Sequence, residues 1–166
     1  KVRFVISGPL IMVATGNPYS DKCQVIDMTS SAKTCSNLPS YPLSMLRAAG
    51  GLVEGSPILC GGYKSSGSPK QIGSCYRFEK TTNSWKLHAT LKSKRSHHSA
   101  TVVKGALIVA GGIGPGVGDI ASTEFIYSNG TVESGPDLPE AKHAHCMVTL
   151  QDGKVMILGG SGSSRR

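Results

Sequence analysis

The sequence predicts an all-β protein assembled from copies of one antiparallel sheet, and three observations carry that expectation. The first is a recurring stretch: residues 104–112 read KGALIVAGG, an apolar run introduced by a turn at Lys104-Gly105 and closed by Gly111-Gly112. Four uninterrupted apolar residues, Leu107 to Ala110, describe a strand covered on both faces. The stretch returns upstream as GSPILCGG, ending in Gly61-Gly62, and downstream as GKVMILGG, ending in Gly159-Gly160. The second observation is the period. The closing glycines stand at 62, 112 and 160, steps of 50 and 48, and a worn copy ending in Thr15-Gly16 lies 46 residues before Gly62. Self-similarity at such a period marks a repeat array. The third is composition: with 21 Gly, 9 Pro and 17% charged residues, and no heptad pattern, no segment is suited to a long helix.

The period divides the chain into units of about 3–42, 43–92, 93–140 and 141–166. In unit one, Arg3–Ser7 and Leu10–Gly16 read as strands around a Gly8-Pro9 turn, followed by strands at Gln24–Met28 and Lys33–Leu38. Unit two supplies Ala48–Val53, Pro57–Gly62, Ser74–Glu79 and Ser84–Thr90, with a polar, Gly/Ser-rich loop at Tyr63–Gly73. Unit three supplies Ser99–Val103, Leu107–Gly112, Thr123–Tyr127 and Val132–Gly135, with a glycine-rich loop at Ile113–Gly118. Unit four opens with Cys146–Leu150, turns at Asp152-Gly153 and runs to Gly160, leaving its third and fourth strands without sequence. Four strands per unit, repeated, is the blade of a β-propeller, whose rings hold at least four blades. Three and a half blades are a portion of such a ring. The remaining blades would come from further sequence or from a second chain.

At repeat positions, Arg47, Arg95 and Lys142 head their units, and Gly50, His98 and His145 follow three places later. Tyr76 and Phe125 lie 14 and 13 residues after their glycine pairs, and Trp85 follows Tyr76 by nine. A basic residue, an apolar strand, a glycine pair, an aromatic and a Trp in that order resemble the kelch repeat. Unit one departs from it in Thr15-Gly16 and in lacking Tyr and Trp, and unit three has Val132 where Trp would stand. Packing explains these residues: glycine pairs let neighbouring blades approach, and aromatics fill the wedge between them. Gly16, Gly61, Gly62, Gly111, Gly112, Gly159, Gly160, Arg47, Arg95, Tyr76 and Trp85 are therefore read as structural.

Five cysteines fall at 23, 35, 60, 75 and 146. Cys23 and Cys75 open third strands one repeat apart, Cys35 sits on a fourth strand and Cys60 on a second. Strand adjacency makes Cys23–Cys35 and Cys60–Cys75 reachable as bridges, closing loops of about 12 to 16 residues worth roughly 3 kcal/mol each. Two such bridges point to an oxidising compartment; the alternative is buried free thiols. Cys146 is left over, to pair outside this sequence, to link chains or to stay reduced. Asn129-Gly130-Thr131 is an N-glycosylation sequon on a strand-connecting turn. Cys23 to Asp27, Cys35 with Leu38-Pro39, Cys75-Tyr76, and Gly135 to Pro139 followed by His145-Cys146-Met147 resemble secreted kelch proteins of invertebrates. The resemblance implies an extracellular propeller with no catalytic residue to carry over.

Chemistry is otherwise sparse. His97, His98, His143, His145 and Cys146 recur in two adjacent units, but no carboxylate or second cysteine stands at ligand spacing, so no metal is expected. The loop from Gly111 to Gly118 lacks the Lys-Ser/Thr of a nucleotide loop and is followed by a strand. A copper propeller oxidase would need a ligand set that does not accompany Cys75-Tyr76. The ten acidic residues are dispersed. A net charge of +8 favours acidic proteins or glycans as partners, while 5% aromatic content argues against a nucleic-acid face. The longest apolar runs are five residues, too short for a membrane span. The expectation is a secreted, cofactor-free interaction scaffold presenting loops Tyr63–Gly73, Ile113–Ala121 and Thr29–Lys33. An intracellular ubiquitin-ligase adaptor and an extracellular filament component are the competing readings.

Overall fold

The computed structural model describes residues 2–7, 10–16, 18–27, 29 and 35–162, with the backbone alone described at 2–7, 10, 11, 13, 35 and 36. Unit one forms β1 (Val2–Ser7), β2 (Leu10–Ala14), β3 (Cys23–Asp27) and β4 (Cys35–Leu38), paired in that order. Unit two contains β5 (Met45–Leu46), β6 (Ala49–Val53), β7 (Ser56–Cys60), β8 (Tyr63–Lys64), β9 (Ser74–Glu79) and β10 (Ser84–Thr90). Its sheet runs β6-β7-β9-β10, and β5 pairs with β8 beside it. Unit three repeats the plan with β11 (Ser99–Val103), β12 (Ala106–Ala110), β13 (Ile113–Gly114), β14 (Gly118–Asp119), β15 (Thr123–Ile126) and β16 (Val132–Ser134). There the sheet runs β11-β12-β15-β16, and the loop expected at Ile113–Gly118 is a small β13–β14 hairpin. Unit four holds β17 (Lys142–His143), β18 (Cys146–Thr149), β19 (Val155–Leu158) and β20 (Ser161–Gly162), paired as β18–β19 and β17–β20. The turn at Gly8-Pro9, and all of the loop Thr29–Lys33 but Thr29, lie outside the described residues.

Local chemistry accounts for the hairpins. Glu54-Gly55 and Lys104-Gly105 are two-residue connections with positive φ at both positions, 47° and 72° in the first, 49° and 79° in the second. Such turns match the right-handed twist of the flanking strands and favour glycine. Every residue of β12 is buried, as its unbroken apolar run demands.

The glycine pairs lie just beyond their strands and bind the units together. First positions have φ of 54° (Thr15), 61° (Gly61), 60° (Gly111) and 65° (Gly159), so the worn Thr15-Gly16 pair keeps the backbone of the others. The second glycine donates its N–H forward to the next unit, Gly16 to the Met45 carbonyl, Gly62 to that of Arg95 and Gly112 to that of Lys142, at 3.2, 2.8 and 2.8 Å. A second chain of bonds links Ala144 N–H to the His97 carbonyl and His97 N–H to that of Arg47, all three residues having φ between 54° and 61°. These bonds correct the expected alignment. Met45, not Arg47, is the counterpart of Arg95 and Lys142; Arg47 matches His97 and Ala144, and Ala48 rather than Gly50 matches His98 and His145.

The first strands β1, β6, β11 and β18 neighbour one another in series, and the core lies between successive sheets. Met12, Tyr41, Met45, Leu59, Phe78 and Trp85 pack between units one and two. Val53, Ile58, Cys60, Cys75, Leu107, Val109 and Ile126 pack between units two and three, and Val103, Ile108, Ala110, Leu138 and Met147 between units three and four. The described residues contain no helix, and their stacked antiparallel sheets fit a β-propeller-like fold without closing a ring. Among the described residues no helix is long and apolar enough to cross a membrane.

The register decides the cysteines. Cys60 and Cys75 are direct partners across β7 and β9 and form a disulfide, with Cα atoms 4.0 Å apart. Cys23 does not pair with Cys35: β3 and β4 set Cys23 opposite Leu38, and Cys35 opposite Ile26. Three ladder positions, about 10 Å of strand, exceed what a disulfide spans. Cys23 is instead a buried free thiol, its pKa pushed up to about 11 chiefly by burial.

Candidate interaction cleft

Because strands alternate in direction, the connections from second to third strand and from each unit to the next gather at one end of the sheets. The turns at Glu54-Gly55 and Lys104-Gly105 lie at the other end. Of the three expected contact loops, Tyr63–Gly73 and Ile113–Ala121 fall among the described residues. Those two converge across the junction of units two and three. Segment 62–73 is pinned by Lys64 N–H to the Lys70 carbonyl, Ile72 N–H to that of Gly62 and Arg95 N–H to that of Ile72. The β13–β14 hairpin is pinned by reciprocal bonds between Ser96 and Ile113, of 3.1 and 2.7 Å, and by Ile120 N–H to the Gly112 carbonyl.

Between them, over the connecting segment 91–94, opens a cleft of about 440 Å³. Its aliphatic wall comes from Pro69 on one side and from Gly114, Pro115, Val117 and Ile120 on the other, with Lys92, Ser93 and Lys94 along the bottom edge. Val117, at the hairpin tip, is 71% exposed. Segments 62–73, 91–94 and 113–118 carry Lys64, Lys70, Lys92 and Lys94 and not one carboxylate. Lys70 Nζ sits 5.7 Å from the centroid of the Tyr63 ring, and Lys92 Nζ donates to Ser134 Oγ at 3.0 Å. The nearest acid in sequence, Asp119, is engaged elsewhere, 2.7 Å from His143 Nδ1. The cleft is thus electropositive with an apolar wall.

A buried ionic lock holds its base. Arg95 is fully buried and donates to the Ser93, Gly111 and Ser122 carbonyls, to Ser122 Oγ and to Glu124 Oε1, the last at 2.7 Å. Glu124 in turn accepts from the N–H groups of Lys92 and Ser93, at 2.7 and 3.1 Å. Burial lowers the Arg95 pKa, and Glu124 partly offsets that. Sequence reasoning assigned Arg95 a structural place but passed over Glu124. A lone acid inside the apolar strand TEFI was the available signal.

The other expected positions lie in the packing between units. A Cβ on Gly61 would lie 2.6 Å from the His98 ring, and one on Gly111 2.9 Å from that of His145, so each histidine packs into the glycine of the preceding unit. His98 is held down to about 3 and His97 to about 4, burial being the largest cause in each. The rings of His97 and His143 meet edge-on at 5.8 Å, and among the described residues no three His, Cys, Asp or Glu side chains come together as metal ligands. Tyr76 and Trp85 surround Tyr41, a residue the sequence reading missed, with centroids 5.2 and 5.1 Å from its ring. Trp85 Nε1 donates to the Pro39 carbonyl and Tyr41 OH to that of Leu59. In register, Glu124 rather than Phe125 is the counterpart of Tyr76, since Tyr76 faces Leu59 as Glu124 faces Val109. Asn129 is exposed in its turn, its Oδ1 accepting from Thr131 N–H, and Cys146 is an exposed free thiol.

No family model matches the chain, and no curated protein is similar to it. Among solved structures it is similar to the "Structure of YjhT", with a TM-score of 0.78 at 13% identity over 88% of this chain. The match spans 52% of that longer chain. At that identity the likeness speaks for the fold alone.

Proposed function

We propose that this chain is about three and a half four-stranded blades of a kelch-type β-propeller that belongs to a larger ring. In this reading it is secreted, stapled by a disulfide and non-catalytic, and it binds acidic protein or glycan partners through inter-strand loops. One observation carries the reading: two loops from different units, each expected to make contacts, meet over a cleft lined by Lys92 and Lys94, with Lys64 and Lys70 on the loop that supplies Pro69. Clefts of one sign of charge concentrate partners of the other. The hydrogen bonds that pin both loops have already met much of the ordering cost of binding. The Cys60–Cys75 bridge, exposed Asn129 and the resemblance to secreted kelch proteins support an extracellular setting. Half-length likeness to a longer chain supports further blades.

The reading is tested with two immobilised anionic probes, poly-glutamate and heparin. The chain is expected to be retained on at least one in a salt-dependent way, and a variant carrying K70E, K92E and K94E is expected to lose retention. Retention on neither probe, or retention untouched by the three reversals, contradicts it. Intact mass measured without reductant on protein from the secretory pathway should show one bridge and added glycan.

A further inference from the structure

Resting on that reading of the cleft, we infer that its occupant is an acidic peptide segment anchored by one aliphatic side chain, and not a sulfated glycan. The wall decides between them. Sugar rings are gripped by flat aromatic faces and by carboxylates or amides that accept from hydroxyls. The cleft lining offers neither, only Pro69, Pro115, Val117 and Ile120 beside Ser93 and two lysines. An aliphatic side chain gains from burial against such a wall, whereas a glycan would leave it wet. The cavity of about 440 Å³ falls within the range that holds small ligands, ample for one branched side chain and its neighbouring backbone.

Charge completes the fit. Lys94 lies at the cleft edge, and Lys64 and Lys70 stand on the facing loop. Lysine is a point charge on a flexible stem, suited to carboxylates flanking an anchor without fixing their geometry. Lys92, engaged with Ser134, adds field more than contact. Carboxylates flanking the anchor would meet Lys94 at the bottom edge and the lysines of the loop that carries Pro69. Steering by such a field speeds encounter, and the apolar anchor sets residence.

Three labelled probes test this by fluorescence anisotropy: a peptide with one leucine between pairs of aspartates, the same peptide with serine in place of leucine, and a heparin oligosaccharide. The leucine peptide is expected to bind about tenfold more tightly than the serine peptide. V117D, at an exposed tip where it leaves the fold intact, is expected to erase that tenfold gap, while K94E weakens both peptides alike. Equal binding of the two peptides, or a gap that V117D leaves in place, overturns the anchored-peptide inference, as does heparin binding tightest of the three. In those cases K94E sensitivity still upholds the basic cleft. If no probe binds, the reading on which the inference rests falls with it.

Discussion

The junction between units one and two and the junction between units two and three each hold an apolar core but differ at two positions of the same register. In the first, Met45 and Tyr76 stand where the second has Arg95 and Glu124. Around Met45 the contacts are apolar and aromatic, with Tyr41 wedged against Tyr76 and Trp85. Around Arg95 they are a buried ion pair sealed by five donated hydrogen bonds. The backbone clasp is the same in both, a glycine N–H on the carbonyl of the residue in question. The lesson is that the main chain sets how the units meet and the side chains decide only how the space is sealed. The ionic seal also serves the surface, because Glu124 holds the Lys92 and Ser93 amides and so sets the edge of the cleft.

Breaking the ionic junction is expected to have the largest effect. R95M strands a buried carboxylate and should cost about 3–5 kcal/mol in urea unfolding. Adding E124Q should cost less than the two losses summed, by at least about 1 kcal/mol, because the partners act as a unit. Strict additivity would show the pair to be uncoupled. Next comes the bridge beside the same junction: replacing Cys60 and Cys75 by alanine should cost about 3 kcal/mol in the chain-entropy view, again read by urea. On the aromatic side, Y41F removes one hydroxyl from the Leu59 carbonyl and should cost only about 1 kcal/mol. A loss as large as that of R95M would erase the contrast between the junctions.

A separate effect is with pH. Folded, His98 and His97 take up protons only near 3 and 4, against 6.5 when released by unfolding. Between those values the unfolded chain binds more protons, so stability should rise with pH through the window and be lost as pH falls below 6.5. Thermal melts between pH 5 and 7 should show that slope, and H98N should flatten it. An unchanged slope would place its origin elsewhere.

Much of the fold was legible because its signals are local. Apolar runs closed by glycine pairs announced β7, β12 and β19, and the glycine turns at 55 and 105 announced the hairpins. What spacing could not supply was register. Counting 14 and 13 residues from the glycine pairs equated Tyr76 with Phe125, yet a slip of one residue moves a side chain to the other face. The same limit made Cys23–Cys35 look reachable while β3 and β4 hold them three places apart. Cys60 and Cys75 succeeded because they are true cross-strand neighbours. Of the candidate site, the two loops were legible from their glycine and serine content. Their convergence was not, since it depends on the stacking of two sheets, and Glu124 and Tyr41 act through partners far away in sequence.

Amide hydrogen exchange puts the clasp between units to the test. The N–H groups of Gly62, Gly112, His97 and Ala144 point away from any sheet ladder and bond across to a neighbouring unit. They should exchange as slowly as the Leu59 and Val109 amides of the buried strands. Exchange at the rate of the exposed loop residue Ser66 would mean that the units do not hold one another as described, and that the cleft between their loops is not a fixed surface.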